Sequence, residues 1–306
     1  MARIIVIAGP TAVGKSALSL ALAKRLNGEI ISADSMQIYR GMDIGTAKAT
    51  LDERKQIPHH LLDIRDPSDE YSCADYAEDA RRCMDDILSR GRTPIFCGGT
   101  GLYLKQALCD TPVESPHGDP ELRLVLEQRD PDENYRELME CDPESAAAIH
   151  PNNVRRVIRA LEIYRLSGVP KSEWDRRCPT DRYRTDALLI CLTAPRDALY
   201  SRIDRRVEEM MDAGLYDEVR SLDLDPDTTA GQAIGYKELL SCIRGEESLE
   251  KAVAAIQLAS RRYAKRQLTW FRHQKDFRML DVSEFANFED IVNFVAQLFE
   301  QSNNVL

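Results

Sequence analysis

The residues with the clearest chemical potential form the run Gly9-Pro10-Thr11-Ala12-Val13-Gly14-Lys15-Ser16, which follows the apolar segment Arg3–Ala8. This spacing matches a phosphate-binding loop, whose backbone N–H groups converge on phosphate oxygens at the start of a helix. In such a loop Lys15 neutralises the terminal phosphates, and the Ser16 hydroxyl can bind Mg²⁺. A glycine-rich turn without a ligand is the alternative, but the flanking strand and helix favour phosphate binding.

A single carboxylate, Asp34, follows a second apolar segment, Glu29–Ala33. ATP-hydrolysing proteins usually carry an acid at the end of a later strand, where it holds Mg²⁺ and places water. The strands predicted at Pro94–Cys97 and Ala187–Thr193 end without one. Strand polarity puts Asp34 at the same edge of the sheet as the loop, where ligands of open α/β sheets bind. The alternative is that Asp34 is a surface or capping residue.

Strands and helices alternate through the first hundred residues, as in a parallel sheet covered on both faces. An amphipathic helix is predicted over Gly14–Leu26, and others begin at Leu102 and span Arg196–Ala213. Long helices are also predicted over Leu249–His273 and Asn287–Glu300. The expected fold is therefore α/β, with a P-loop core and a mostly parallel sheet.

Residues 113–182 lack a convincing strand and carry three helix-start signals, Asp119-Pro120, Asp142-Pro143 and His150-Pro151, with Gly168 and Pro170 as a stop. We expect a small helical domain there, inserted into a core formed by residues 1–112 and 183–306.

The acidic net charge does not by itself exclude a nucleic-acid partner, because basic residues are clustered locally. The net charge is −10, yet residues 252–275 hold six Lys or Arg and no acid. At about 100° per residue, Ile256, Tyr263 and Trp270 share one stripe of a helix, with Arg261, Lys265 and Arg272 nearly opposite. Such a basic face could bind phosphates or could simply be solvated, whereas the aromatic residues are expected in the core. A second basic cluster is Arg155, Arg156 and Arg159.

Neither the cysteines nor the apolar runs indicate a metal-binding, secreted or membrane protein. The eight cysteines include no Cys-x-x-Cys pair, and no apolar run reaches membrane-spanning length. We therefore expect reduced thiols in a soluble cytoplasmic protein.

Beyond the loop, several motifs are specific: Asp34-Ser35-Met36-Gln37-Ile38-Tyr39-Arg40-Gly41, His59-His60-Leu61-Leu62-Asp63, Gly98-Gly99-Thr100-Gly101-Leu102-Tyr103, Ala233-Ile234-Gly235-Tyr236 and Lys265-Arg266-Gln267-Leu268-Thr269-Trp270-Phe271. With them the chain closely resembles the tRNA dimethylallyltransferases from about residue 4 to 275. It lacks the C-terminal zinc-finger ligands of many eukaryotic members and so resembles the bacterial form.

The resemblance implies that dimethylallyl diphosphate binds in the loop with Mg²⁺ at Ser16, and that N6 of adenosine 37 in tRNA attacks it. Asp34 matches the general base, and Lys15 and Arg206 match the cations at the leaving diphosphate, with Arg202 a possible helper. The inserted domain would grip the tRNA anticodon stem-loop of a monomeric enzyme. The implied tRNA contacts are Asp34, Ser35, Met36, Gln37, Thr100, Arg123, Arg155, Arg156, Val157, Ile158, Arg159, Gln232, Ala233, Ile234, Gly235, Tyr236, Lys237, Lys265, Arg266, Gln267 and Trp270.

Three alternatives share part of this pattern. A P-loop small-molecule kinase would have the same loop but little use for the basic stripe. A prenyltransferase acting on free AMP or ADP would need Asp34 but not the Arg155–Arg159 cluster. A non-catalytic RNA-binding module would not need Asp34, Lys15 and Ser16 together.

Overall fold

The computed structural model describes residues 3–109, 116, 118–177 and 183–304. Its strands are β1 Ile4–Ala8, β2 Gly28–Ser32, β3 His59–His60, β4 Thr93–Gly98, β5 Ala187–Thr193 and β6 Arg278–Asp281. They form one sheet in the order β3-β2-β4-β1-β5-β6, and every neighbouring pair is parallel. The predicted α/β class with a parallel sheet is confirmed.

The helices include the long ones that the sequence predicted, within a residue or a few of the expected bounds. No helix of the described ranges combines the length and apolar composition needed to cross a bilayer. In chain order the helices are α1 Lys15–Arg25, α2 Leu51–Gln56, α3 Cys73–Ser89, α4 Gly101–Leu108, α5 Pro120–Gln128, α6 Pro131–Cys141, α7 Pro143–Ala148, α8 Val154–Ser167, α9 Lys171–Arg177, α10 Arg196–Asp212, α11 Leu215–Leu222, α12 Tyr236–Ile243, α13 Leu249–Arg272 and α14 Phe288–Asn304.

The centre of the sheet is β1, which lies between β4 and β5. Ile7 pairs with Cys97 on β4, and Ala8 pairs with Cys191 on β5. All five residues of β1 are buried, as expected for a parallel strand covered on both faces. The chain leaves β1 towards β2 on one side and later returns to β5 on the other. Ligands of such sheets bind at this switch point, beyond the carboxyl end of β1.

The chain divides into two compact units. Residues 1–108 together with 182–306 form the first, which contains the sheet, and residues 109–181 form the second. In the described part of the second unit every regular element is a helix, from α5 to α9. A separate core holds α5 to α8 together, formed by the buried side chains of Leu126, Leu138, Ala146, Ile149, Val157, Ile158, Ala160 and Leu161.

Two of the three helix starts predicted in the second unit are confirmed, and one is wrong. Asp119 and Asp142 cap α5 and α7 through their carboxylates, each before a proline. No helix begins at His150-Pro151, because residues 150–153 form a turn closed by a hydrogen bond from Asn153 N–H to the His150 carbonyl. The helix α8 starts only at Val154. A start at Asp130-Pro131 was not predicted, although Asp130 caps α6 in the same way.

A buried carboxylate holds the amino-terminal end of the sheet in the first unit. Glu29 on β2 is 1% exposed, and Arg90 and Arg92 both donate hydrogen bonds to it. The ring nitrogen Nε2 of His60 lies 2.7 Å from its Oε2. The hydrogen bonds from Arg90 make the largest contribution to lowering the pKa of Glu29 from 4.5 to about 2, with burial opposing them.

We expect Glu29→Gln to lower the free energy of unfolding at pH 7 by roughly 1–3 kcal/mol, since charge-assisted hydrogen bonds to a buried carboxylate are lost. The matched control is Asp86→Asn, which removes the exposed partner of the same Arg90 and should cost roughly 0–1 kcal/mol. Because the folded-state pKa is depressed, the wild-type advantage is complete above pH 4.5 and shrinks as pH falls towards 2. Urea titrations across this range test this, and a pH-independent difference would contradict it.

Candidate functional site

The phosphate loop Gly9–Ser16 leaves the carboxyl end of β1 and enters α1 at Lys15. Gly9 has φ +140° and Gly14 has φ +104°, backbone conformations that L side chains rarely adopt. A Cβ atom on Gly9 would also lie 2.6 Å from the carbonyl oxygen of Leu192 on β5. The loop therefore requires both glycines, and it ends at a helix N-terminus, whose partial positive charge attracts anions.

The Lys15 ammonium lies inside this loop, where its Nζ donates a 2.7 Å hydrogen bond to the Pro10 carbonyl. Burial lowers the pKa of Lys15 from 10.5 to about 8. The neighbouring Arg206 lowers it further, while Cys97 and Asp34 act in the opposite direction. A desolvated cation of this kind gains most from an anionic ligand, which restores its favourable interactions.

Asp34 and Arg206 lie close enough to Lys15 to act on its charge. Arg206 is half-buried on α10, and burial lowers its pKa while Asp34 is the largest opposing influence. One oxygen of Asp34, Oδ1, accepts the Met36 N–H at 2.9 Å. The other, Oδ2, makes no hydrogen bond to any described residue. The site thus combines two desolvated cations with a carboxylate that has one oxygen left to accept a proton.

Short polar contacts fix the segment that follows Asp34. The Ser35 N–H donates to Oγ1 of Thr100, and the Thr100 N–H donates to the Ala33 carbonyl. The Gln37 amide donates to the Thr46 carbonyl at 3.1 Å and accepts from the Ser32 hydroxyl at 2.9 Å. Thr100 and Gln37 were predicted as tRNA contacts. In the structure, the side chains of both residues make hydrogen bonds that fix the conformation of this segment.

The buried ammonium of Lys48 also holds the segment that follows Asp34. The Lys48 side chain is fully buried, and its Nζ donates to the Tyr39 carbonyl and to the carboxylates of Asp43 and Asp63. Arg54 also pairs with Asp63. Every member of this network lies between residues 39 and 63, so it anchors the backbone that follows Asp34.

A second anchor, Glu218 on α11, ties this segment to the start of α12. Its two oxygens accept the N–H groups of Asp43, Ile44 and Gly45, and its Oε1 also accepts the Tyr236 hydroxyl at 2.6 Å. A Cβ on Gly45 would lie 2.5 Å from the Tyr236 ring, so only glycine permits this packing.

This packing changes the interpretation of the predicted tRNA contacts at 232–237. The side chains of Ala233 and Tyr236 are buried and Gly235 provides only backbone, so these three do not present side chains outward. Ile234 is half-buried, and Gln232 and Lys237 are exposed.

The basic face of α13 is smaller than the sequence pattern suggested. Lys265 and Arg266 are exposed, and the Arg266 guanidinium lies over the Tyr263 ring. Arg261 forms an ion pair with Asp204 on α10, so it is not an open cation. Because this ion pair already compensates its charge, Arg261 is a weaker candidate for phosphate binding than the exposed Lys265. Trp270 is half-buried, as expected for a residue of the inward stripe.

The predicted contacts of the helical unit separate into exposed and structural residues. Arg155 and Arg156 are exposed at the start of α8 and make no ion pair within the described residues. Val157 and Ile158 belong to the core of the unit, so the prediction that they contact tRNA is wrong for their side chains. Arg159 and Arg123 both pair with the buried carboxylate of Glu162, at 2.6 and 3.2 Å. Their guanidinium groups therefore stabilise the helical unit through Glu162, which leaves them less available to RNA.

Lys48, Asp63 and Glu218 support the site, yet sequence reasoning gave them no role. Lys48 and Asp63 lie in or beside recognised motifs, so their presence there was a usable signal. Glu218 offered none, because one acid on an amphipathic helix looks the same whether it is solvated or buried.

Comparison with known proteins gives a consistent answer. A family model described as IPP transferase matches residues 37–274. The chain is 48% identical over 314 residues to the tRNA dimethylallyltransferase of Geobacillus kaustophilus, with 99% of each covered. The solved tRNA isopentenylpyrophosphate transferase of Bacillus halodurans matches with a TM-score of 0.72 at 43% identity, covering 100% of this chain and 99% of that one. A eukaryotic dimethylallyltransferase solved acting on tRNA matches with a TM-score of 0.85 at 34% identity, covering 98% of this chain and 80% of that one.

The model match spans well over half of the chain, and the relatives are covered along almost their whole length. The resemblance that the sequence motifs indicated is confirmed. This chain belongs to the IPP transferase family, with tRNA dimethylallyltransferases among its relatives.

Proposed function

We propose that this chain is a tRNA dimethylallyltransferase, which transfers the dimethylallyl group of dimethylallyl diphosphate to N6 of adenosine 37 in tRNA. The observation that carries the proposal is the meeting of Lys15, Arg206 and Asp34 at the phosphate loop. Two desolvated cations suit a diphosphate, and a carboxylate beside them suits proton removal from an acceptor.

The diphosphate lies in the loop Gly9–Ser16 and is the leaving group. As the bond between C1 of the dimethylallyl group and its oxygen breaks, negative charge accumulates on the diphosphate. The Lys15 ammonium and the Arg206 guanidinium lie in a poorly solvated site, where their attraction for this charge is stronger than in water. They therefore stabilise the transition state more than the ground state.

The adenine N6 amine is a weak nucleophile because its lone pair is delocalised into the ring. As N6 forms its bond to C1, Asp34 takes one of its protons through Oδ2, the oxygen without a partner among the described residues. The products are the N6-prenylated adenosine, diphosphate and the proton on Asp34. General base catalysis of this kind contributes about 10²–10⁴-fold.

Mg²⁺ fits this loop as an ion shared with the substrate. Within the described ranges, no three His, Cys, Asp or Glu side chains cluster as a metal site. Mg²⁺ commonly binds through one or two protein oxygens plus substrate phosphates, and the exposed residue Ser16 at the start of α1 carries such an oxygen. When bound there, Mg²⁺ would neutralise part of the diphosphate charge.

The RNA would be held by the exposed basic residues of both units. We assign the anticodon stem-loop to Arg155 and Arg156 in the helical unit, and to Lys265, Arg266 and Lys237 in the core. Adenosine 37 must leave its stack to reach Asp34, at a cost of a few kcal/mol. We further propose that the enzyme acts in the cytoplasm. It would act as a monomer, because tRNA provides the large partner surface.

The salt dependence of tRNA binding tests this assignment on α13. Lys265→Ala should reduce the slope of log affinity against log salt concentration by about one, since one phosphate contact is lost. Arg261→Ala is the matched control on the same helix and should leave the slope unchanged, because Arg261 pairs with Asp204. Filter binding at several KCl concentrations measures both, and equal losses of slope would contradict the assignment.

Acceptor choice distinguishes the proposed reaction from the alternatives. Labelled dimethylallyl diphosphate is incubated with Mg²⁺ and either tRNA or AMP, and labelled ATP is incubated in parallel with tRNA and small-molecule alcohols. We expect prenyl label on tRNA alone. Label on AMP but not tRNA would indicate a free-nucleotide prenyltransferase, and phosphate transfer from ATP would indicate a kinase.

A further inference from the structure

One face of α13 lies directly on the loop that follows β4. A Cβ atom on Gly99 would lie 2.0 Å from Nε2 of Gln267, and one on Gly101 would lie 2.3 Å from the Trp270 ring. Gln267 and Trp270 are three residues apart and therefore share a face of the helix. Gly99 in the loop and Gly101 at the start of α4 thus let the α13 side chains approach the backbone here.

The Gln267 amide joins two loops. Its Oε1 accepts the N–H of Thr11 in the phosphate loop at 3.0 Å, and its Nε2 donates to the Gly99 carbonyl at 3.0 Å. Gln267 is 6% exposed, and its bond to the Gly99 carbonyl is buried while the bond from Thr11 is partly buried. This is an unusual position for a residue between the exposed cations Lys265 and Arg266 and the aromatic Trp270, because its polar groups point into the protein.

The Thr11 N–H belongs to the backbone that must bind the diphosphate. With this donor held by Gln267, the loop keeps one conformation before its ligand arrives. Without Gln267, the Thr11 N–H and the Gly99 carbonyl would lose these buried partners, and the loop would have to move to satisfy them. Such a movement would weaken diphosphate binding without touching any RNA-facing atom.

We propose that Gln267 is a positioning residue of the diphosphate site and not an RNA contact. From its place on α13 it holds the phosphate loop in its binding conformation. This replaces the tRNA-contact role that the resemblance implied for Gln267. Its place on the RNA-binding helix rests on the proposed function, whereas its action on the phosphate loop does not.

The test compares Gln267→Leu, which keeps the side-chain volume but neither hydrogen bond, with Gln267→Asn, whose amide is too short to bridge. The control is Gln257→Ala on the same helix, where the lost contact is a 3.4 Å hydrogen bond to the Asp204 carbonyl. Calorimetric titration with inorganic diphosphate and Mg²⁺ measures the loop, and filter binding of unmodified tRNA measures the RNA surface. Thermal melting identifies any variant that fails to fold.

We expect diphosphate affinity to fall roughly tenfold in both Gln267 variants, as for one to two lost hydrogen bonds, with tRNA affinity changed by less than about twofold. The control should alter neither. Weakened tRNA binding with unchanged diphosphate binding would overturn the proposal, and so would two unchanged affinities in a folded variant. Because diphosphate binding needs no prenyl transfer, this result is independent of whether tRNA is the acceptor.

Discussion

Replacing Asp34 with asparagine is expected to lower prenyl transfer to tRNA by roughly 10²–10⁴-fold while tRNA affinity stays within about threefold of wild type. Asparagine has the same shape and can keep the hydrogen bond from the Met36 N–H, which Oδ1 accepts at 2.9 Å. What it loses is the basicity needed to take the N6 proton. The effect should therefore fall on the chemical step.

Single-turnover rates with saturating diphosphate and tRNA isolate that step, and filter binding measures tRNA affinity separately. The matched control is Asp66→Asn, another acid of the same unit, which forms a surface ion pair with Arg40 and should leave both values unchanged. A single-turnover rate within a few-fold of wild type would remove Asp34 as the base.

The second large effect concerns Lys15 and has a distinctive pH dependence. Lys15→Met should lower kcat/KM for the diphosphate by about 10²–10³-fold, as when one preorganised group that stabilises transition-state charge is lost. Burial lowers the pKa of Lys15 to about 8, so the free enzyme loses this charge as pH rises through 8. The wild-type kcat/KM should then fall by up to tenfold per pH unit above that point.

Lys15→Arg is the informative comparison, because arginine keeps its charge throughout this range. This variant should be less active than wild type at neutral pH, since guanidinium has a different shape, but it should lack the alkaline fall. Profiles from pH 6.5 to 9.5 in overlapping buffers make the comparison. The same alkaline fall in both enzymes would assign the titration to another group.

Much of the sheet and the catalytic charges could be predicted from sequence because they depend on local signals. The loop Gly9–Ser16 carries its own spacing, and β1 is an unbroken run of buried residues. Strand polarity alone placed Asp34 at the same edge of the sheet as the loop. Arg206 needed the family resemblance, since a cation on an amphipathic helix usually faces solvent.

What could not be predicted depends on contacts between distant parts of the chain. Arg261 and Lys265 are alike in sequence, and only the position of Asp204 on α10 shows that one is paired and the other exposed. Gln267 lies 256 residues from its partner Thr11, and Glu218 lies 173 to 175 residues from its partners Asp43, Ile44 and Gly45. Helical periodicity indicates which face is buried, but it does not show what a buried polar group bonds to.

In the helical unit, too, local signals could be predicted from sequence and contacts between separate elements could not. Aspartate-proline pairs predicted two starts because capping is local, whereas His150-Pro151 failed because a turn occupies that position. The range Arg155–Arg159 looked like one basic cluster, yet its middle residues are core and Arg159 pairs with Glu162. A family resemblance gives the range of residues that contact RNA. Only the burial of each side chain shows which residues of that range can reach it.

The reaction proposed for this site joins a prenyl group to N6 of adenosine 37. The most direct measurement incubates the enzyme with dimethylallyl diphosphate, Mg²⁺ and an anticodon stem-loop carrying adenosine at position 37, beside an identical stem-loop carrying inosine there. Inosine lacks the N6 amine but keeps the purine shape. Mass spectrometry of the digested RNA should show one added prenyl unit at position 37 of the adenosine stem-loop and none on the inosine form. Equal prenylation of both stem-loops, or of neither while free AMP is prenylated, would contradict the account.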